Sequence, residues 1–289
     1  MILDLPPRLY KYFAPERVAV LTQRLVRYTP LGAFNDPFEG RPKVTGLTTQ
    51  DETISITNDL LLDETRQMYE SLQPHVQAAI PFNQVYFMAK ALAQEKGAEI
   101  HTILQSMTQA TTEFLTGKLD EHLGAFCLSE VPDSILMWSH YGASHSGFAL
   151  EFDSNHPHFH EQQSPEDGFR RLRRVFYRDT RPSSRLAAMS TTEMFLVKSS
   201  HWAYEREWRI MRAFSDANTV VQDAGYPVHL FAFPPQALTG VIVGARATAN
   251  TSQQIYSAIA SDPELQHVQI KQAIPDSTHF HLKIENSTD

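Results

Sequence analysis

Residues 204–210 read YEREWRI, and the reading of this stretch decides the fold. Taken as the start of a strand at about Glu205, its side chains alternate between two faces. Glu205, Glu207 and Arg209 then share one face, and Arg206, Trp208 and Ile210 share the other. The Trp208 face reads as packing on a core. The opposite face gathers two carboxylates and a guanidinium. Neighbouring carboxylates push one pKa up, which suits acid/base work, and an arginine can hold the second ionised. The same composition also fits a solvated strand face with cross-strand ion pairs. Upstream, Lys198, Trp202 and Glu205 are spaced i, i+4, i+7. A helix from about Thr191 to Tyr204 would put Lys198 on the same side, as a pocket group or as a surface ion pair.

Outward from this stretch the chain is a succession of short strand patterns. From residue 124 they read GAFCLS, GFALEF, RRVFY, EWRIMR, PVHLFAF, GVIVG, VQIKQA and HFHLKI. RLYKYF at residues 8–13 reads as a first strand. Pro15 to Leu25 reads as a short helix with Val18, Leu21 and Leu25 on its apolar face, and residues 25–29 as a second strand. A helix follows Asn250, where Thr251 and Gln254 fit a capping box. Residues 48–123 differ in character. Asn83–Glu95 and Ile100–Leu123 carry apolar residues at three- and four-residue spacing, with Ile103, Met107 and Phe114 in the second. The sequence therefore predicts an α+β fold, with a mixed or mostly antiparallel sheet and a helical insertion at about residues 48–123. No linker cuts the chain, so residues 1–289 read as a single domain, with 48–123 as its helical lobe.

Bulk composition narrows the function classes. With 42% hydrophobic and 20% charged residues, the chain reads as globular rather than disordered. A net charge of −8 disfavours a broad nucleic-acid face, leaving Arg170, Arg171, Arg173 and Arg174 as the one basic run. The lone cysteine, Cys127, forms no intrachain disulfide and reads as a buried strand residue. MILDLPPRLYKYF has no signal-peptide pattern, and no run approaches the roughly 18 apolar residues of a membrane span. A cytoplasmic protein without a membrane partner is expected.

Two further motifs carry polar groups that could meet YEREWR. In CLSEVPDSILMWSHYG, a strand ending at Ser129 leads through Pro132 into a helix capped by Asp133 or Ser134. Met137 and Trp138 read as core anchors. His140 and Tyr141 read either as pocket groups supplying hydrogen bonds, stacking and a proton, or as satisfied packing residues. In FNDPFEG, Asn35 and Asp36 before Pro37 favour a turn held by side-chain hydrogen bonds to the backbone. His156, His158 and His160 alternate in HPHFH, as do His279 and His281 in HFH. The surrounding Pro and Gln point to an exposed loop for the first set rather than to metal. HExxH, CxxC, P-loop and GxSxG patterns are missing, so no metal site is assigned.

LYKYF, FNDPFEG, CLSE with MWSHYG and HSGFALEF, VFY, KSSHWAYEREWRI and PQALTGVIVG occur in this order between about residues 8 and 245. Together they resemble the bacterial family of domain of unknown function 2971. The motif order is also distantly similar to that of ADP-ribosyltransferases. There a first-strand polar residue, a serine or aromatic element and a later E-x-E pair form the NAD site. The matching positions here are Tyr10-Lys11-Tyr12, Ser129 with Tyr141, and Glu205-x-Glu207. Lys11 departs from the usual His or Arg. The similarity implies a nucleotide- or NAD-utilising transferase or glycohydrolase, with NAD as substrate. Glu207 would be the principal carboxylate and Glu205 would assist. His140 and Tyr141 would line the pocket, and Lys11 or Arg209 would contact phosphate. Tyr12, Asn35, Asp36, Ser129 and Lys198 complete the expected binding set. Two alternatives stand beside it. One is a metal-dependent nuclease or nucleotide hydrolase using Asp36, Glu39, His140, Glu205 and Glu207. The other is a non-enzymatic sensing or interaction module, as in phage defence or toxin–antitoxin systems.

Overall fold

The strand expected in YEREWRI is present, but it begins at Glu207 rather than Glu205. The computed structural model describes residues 5–223 and 226–287, so the first four residues of the N-terminal stretch lie outside the described residues. In chain order the elements begin with β1 (Arg8–Phe13), α1 (Ala19–Gln23), β2 (Leu25–Tyr28), β3 (Lys43–Val44), α2 (Gln50–Glu70), α3 (Pro74–Ala79) and α4 (Phe82–His122). There follow β4 (Leu123–Ser129), α5 (Ile135–Tyr141), β5 (Phe148–Asp153), β6 (Arg173–Arg174), β7 (Phe176–Arg178), β8 (Ser183–Ser184), α6 (Thr191–Phe195) and β9 (Val197–Ser199). The chain closes with β10 (Glu207–Ala213), β11 (Thr219–Asp223), β12 (Tyr226–Ala232), β13 (Leu238–Val243), α7 (Ala249–Ser261), β14 (Gln269–Pro275) and β15 (Leu282–Asn286). The fold is α+β. Its contacts gather into two units: Met1–Gly40 with Lys118–Arg181 and Phe195–Asp289, and Arg41–Gly117 with Pro182–Met194.

The first unit is built on a sheet ordered β15-β14-β13-β5-β1-β4-β10-β6. Only the β13–β14 pair among these is parallel, so the sheet is mixed. A smaller sheet runs β11-β12-β2. Alternation gives the large sheet two different faces. On one, Leu9, Phe126, Leu128, Leu150, Phe152, Trp208, Ile210 and Val241 pack with Val20 and Leu21 of α1 and with Ile255 and Ile259 of α7. Val26 and Phe231 of the smaller sheet close this core. Trp208 and Ile210 therefore face the core as their alternation predicts. On the other face, Tyr12, Ala149 and Ile242 pack against Met137 and Trp138 of α5.

Several local expectations fail for identifiable reasons. The helix expected over Thr191–Tyr204 is three elements: α6, β9 and a 3-10 turn over Ser200–Glu205. Pairing of β9 with β7 overrides the helical spacing there. Pro15–Leu25 is likewise divided into a 3-10 turn and α1, which Arg24 ends at φ 54° before β2. The cap of α7 is Thr248, whose hydroxyl accepts from Thr251 N at 3.1 Å, three residues ahead of the expected position. RRVFY holds two strands, β6 and β7, and the strand expected in HFHLKI starts only at Leu282.

The second unit contains the expected helical insertion. Thr49 and Glu52 form a reciprocal capping box at the start of α2. The two helices expected over residues 83–123 are one continuous helix, α4. Its buried positions, Ala89, Ala93 and Gly97, are small and four residues apart. A Cβ on Gly97 would lie 2.7 Å from Ile54 Cα, so glycine lets α2 and α4 approach closely. Beside them β3 and β8 pair in parallel. Among the described residues no helix is long and apolar enough to cross a membrane.

Candidate functional site

Strand β1 pairs with β5 along its whole length, but with β4 only at Tyr10–Ser129. Beyond that pair β1 and β4 separate. Lys11 bridges the gap, its Nζ donating to the Cys127 carbonyl at 3.0 Å in place of a strand partner. A pocket of about 480 Å³ opens here. Lys11, Tyr12, Asn35, Ser129, His140, Tyr141, Lys198, Glu205, Glu207 and Arg209 all line it. Of the residues singled out from sequence, Asp36 alone is not in this lining. It is buried instead, and its Oδ1 accepts from Phe38 N at 2.9 Å.

The deep wall is a buried charge network. Lys198 Nζ lies 2.5 Å from Glu205 Oε2, 3.0 Å from Glu207 Oε2 and 3.5 Å from Glu39 Oε2. Arg209 donates to both Glu207 oxygens, from Nε at 2.6 Å and from Nη2 at 3.0 Å, and to the Phe195 carbonyl at 2.8 Å. Arg209 also pairs with Glu39 and lies over the Phe34 ring. Glu39 is held by these ion pairs rather than by a directed hydrogen bond. On the outer side Tyr141 donates to Glu205 Oε1 at 2.6 Å, and Asn35 Nδ2 lies 3.4 Å from the Tyr141 hydroxyl.

Local backbone explains how Glu205 and Glu207 meet. Glu205 ends the 3-10 turn, and Arg206 adopts φ 43°. This left-handed residue takes the place of continuous strand alternation and points its own side chain to solvent. Ser129 holds the bend by donating to the Glu205 carbonyl at 2.6 Å. Lys198 arrives from β9, not from a helical face. Behind α5, Ala143, Ser144 and His145 have φ of 47°, 54° and 72°. Amide bonds from Ser144 to the Ser139 carbonyl and from His145 to the Trp138 carbonyl hold this left-handed run. Together they fix α5, and with it Tyr141, over the sheet.

Burial and neighbouring charge set the protonation of the wall. Burial lowers the Lys198 pKa, but the Glu207 and Glu205 carboxylates outweigh it and raise the net value. Burial raises the Glu207 carboxyl above its ordinary value, opposed by Lys198. Burial pushes the Arg209 guanidinium down to about 9, with Asp36 acting against it. Tyr141 is raised by burial and by Glu205, so it remains a proton donor to that carboxylate. Burial, and then Glu207, raise the Cys127 thiol.

His140 is exposed at the rim, its Nδ1 2.8 Å from the Tyr204 hydroxyl. Sequence reasoning did not select Arg27, Phe34 or Met137 as pocket residues, and gave Glu39 only as a metal ligand or a lesser catalytic candidate. For Glu39 a signal was present: Gly40 follows it at φ 64°, against Leu31. For Arg27 there was none, since it comes from another sheet.

The histidine motifs behave differently from the pocket. His158 is buried in a 3-10 turn over Pro157–Phe159, His156 accepts from its amide, and His160 bonds the Ser154 carbonyl. The three do not share a strand face. Asp276, His279 and His281 do lie near one another, but Asp276 accepts from the Thr278 and His279 amides and pairs with Lys283 at 2.6 Å. In the basic run, Arg170 pairs with Asp167 and Asp216, and Arg174 lies near Glu130.

No curated protein and no solved structure matches the chain. Residues 137–210, which carry most of α5 and the Lys198, Glu205, Glu207 and Arg209 wall, match the family model described as Protein of unknown function (DUF2971).

Proposed function

We propose that the pocket binds a nucleotide, NAD foremost, and that Glu205 and Glu207 stabilise positive charge developing on the ribose as its N-glycosidic bond breaks. One observation carries this reading. Among the described residues, the cations paired with Glu39, Glu205 and Glu207 are Lys198 and Arg209, so the buried wall holds one more carboxylate than cations. In a water-poor site such an excess favours a cationic partner. An oxocarbenium-like ribose is such a partner. Tyr10, Tyr12 and Phe34 line the pocket with aromatic side chains, and Lys11 and Arg27 offer positive charge for phosphates. In the step, the C1′–N bond breaks and nicotinamide leaves with its electron pair. Water or an acceptor hydroxyl then bonds C1′ and releases a proton.

The metal-dependent alternative has less support. Glu205 and Glu207 are already engaged by Lys198 and Arg209, His140 is held at the rim by Tyr204, and Asp36 does not line the pocket. The test is calorimetric titration with NAD and other nucleotides, alongside assay of nicotinamide release. The wild type should bind and turn over. Glu205→Gln and Glu207→Gln should each lower turnover by about 10²–10³-fold while keeping the native circular dichroism spectrum. Absence of both binding and release in the folded wild type would defeat the proposal.

A further inference from the structure

The turn between β14 and β15 gathers groups that the pocket does not use. The two strands pair as far as Pro275–Leu282, and Asp276 N donates to the His281 carbonyl at 3.1 Å, so residues 276–281 form a closed loop. Within it the Asp276 side chain is buried, 4% exposed. Its Oδ1 accepts from the Thr278 and His279 amides, both at 2.7 Å, and from the Thr278 hydroxyl at 2.8 Å. These donors fill one oxygen and fix the plane of the carboxylate. His279 Nδ1 lies 3.5 Å from Oδ1, and His281 Nε2 lies 3.9 Å from Oδ2. Thr278 Oγ1, 2.9 Å from His279 Nδ1, keeps that ring beside the carboxylate. One ligand atom from each of Asp276, His279 and His281 lies within 4.8 Å of the other two. Zinc bonds of about 2.0–2.2 Å at tetrahedral angles set ligand atoms roughly 3.3–3.6 Å apart. The carboxylate–imidazole spacings are close to that range. The His279 and His281 side chains, 77% and 45% exposed, have room to rotate through the remainder.

We infer that Asp276, His279 and His281 form a site for a divalent transition-metal ion of the zinc class, which displaces Lys283 on binding. A side-chain cation is already drawn to this carboxylate: Lys283 Nζ lies 2.6 Å from Asp276 Oδ2. The lysine side chain is half-exposed, and its flexible stem can carry the ammonium out to water. A half-exposed ion pair is weak, whereas one divalent ion bonds the carboxylate and both imidazoles at once. Two imidazole nitrogens favour zinc, nickel or copper over magnesium and calcium, which take oxygen ligands. Three protein groups leave a fourth position for water. HFH alone supplies only the two imidazoles, and the turn after β14 brings in the carboxylate that completes the set. The loop lies at the opposite end of the large sheet from β10 and β6, so the inference is independent of the pocket's ligand.

The test uses the full chain, stripped with a chelator and titrated calorimetrically with zinc chloride in the absence of nucleotide. The wild type should take up one zinc ion with a dissociation constant below about 100 μM. His279→Ala and His281→Ala should each weaken binding by at least about 10-fold. Both should keep the native circular dichroism spectrum, because neither imidazole is buried. Lys283→Met removes the competing cation and should tighten binding by up to about fivefold. A wild-type dissociation constant above about 100 μM overturns the inference. So does zinc binding that survives unchanged in the His279→Ala/His281→Ala double variant, which would place the ion elsewhere. Weaker binding in Lys283→Met would show that the lysine supports the site rather than competing for it, and would also overturn the inference.

Discussion

The two faces of β10 present successive residues of one strand to opposite environments. Trp208 and Ile210 enter an apolar core, whereas Glu207 and Arg209 enter an equally buried wall of charges. Both faces exclude water, but different quantities hold them. On the apolar face stability follows the volume that is filled. On the charged face it follows whether each carboxylate has a cation, because an uncompensated buried charge is far worse than a missing methylene. The comparison can be broken by substitutions that alter volume on one side and charge on the other.

Lys198→Met should have the largest effect. It keeps much of the side-chain volume but leaves Glu205 and Glu207 with Arg209 as the remaining cation of the wall. Losing one partner of a buried pair costs about 3–5 kcal/mol. Urea unfolding measures it, and a second substitution, Glu205→Gln, should restore part of the loss. A loss near zero would instead favour the solvated strand face that composition alone also allows.

On the apolar face, Ile210→Ala should cost about 2–5 kcal/mol and Ile210→Val about 0.5–1.5 kcal/mol. Both losses should be the same at pH 5 and pH 8, since no titrating group is removed. A strong pH dependence for either would mean that the two faces are not energetically separate.

The apolar face was the legible one. Period-two alternation alone assigns Trp208 and Ile210 inward, and the strand patterns flanking them locate most of the sheet. The charged wall was legible in its residue types but not in its construction. Glu205 and Glu207 were grouped by alternation, yet Arg206 at φ 43° interrupts the strand between them. Lys198 was grouped by helical spacing, yet it comes from a strand. The correct neighbours emerged because both patterns bring side chains to one side, although the backbone reaches that arrangement differently. Glu39 and Arg27 were harder still. Their approach depends on loop closure and on a second sheet, neither of which leaves a periodic trace. The three left-handed residues at 143–145 are similar: none is glycine, so turn chemistry gave no signal there.

The smallest expected effect is also the most discriminating. Glu207→Gln removes the carboxylate in excess and resembles the protonated side chain. Burial raises the folded-state pKa of Glu207 above the ordinary 4.5, despite Lys198. The folded protein therefore holds that proton more tightly than the unfolded chain. Its stabilising contribution is complete below about pH 4.5 and is lost as pH rises through the raised value. The amide does not titrate, so Glu207→Gln should lie within about 1 kcal/mol of wild type at low pH. It should gain relative to wild type as pH rises through the raised value, where Glu207 ionises and the wild-type wall acquires its negative excess. Thermal melts at several pH values measure the difference. A variant that instead loses ground as pH rises would show the ionised Glu207 to be net stabilising. The wall would then be balanced by Lys198 and Arg209 alone, and its demand for a cationic ribose would disappear.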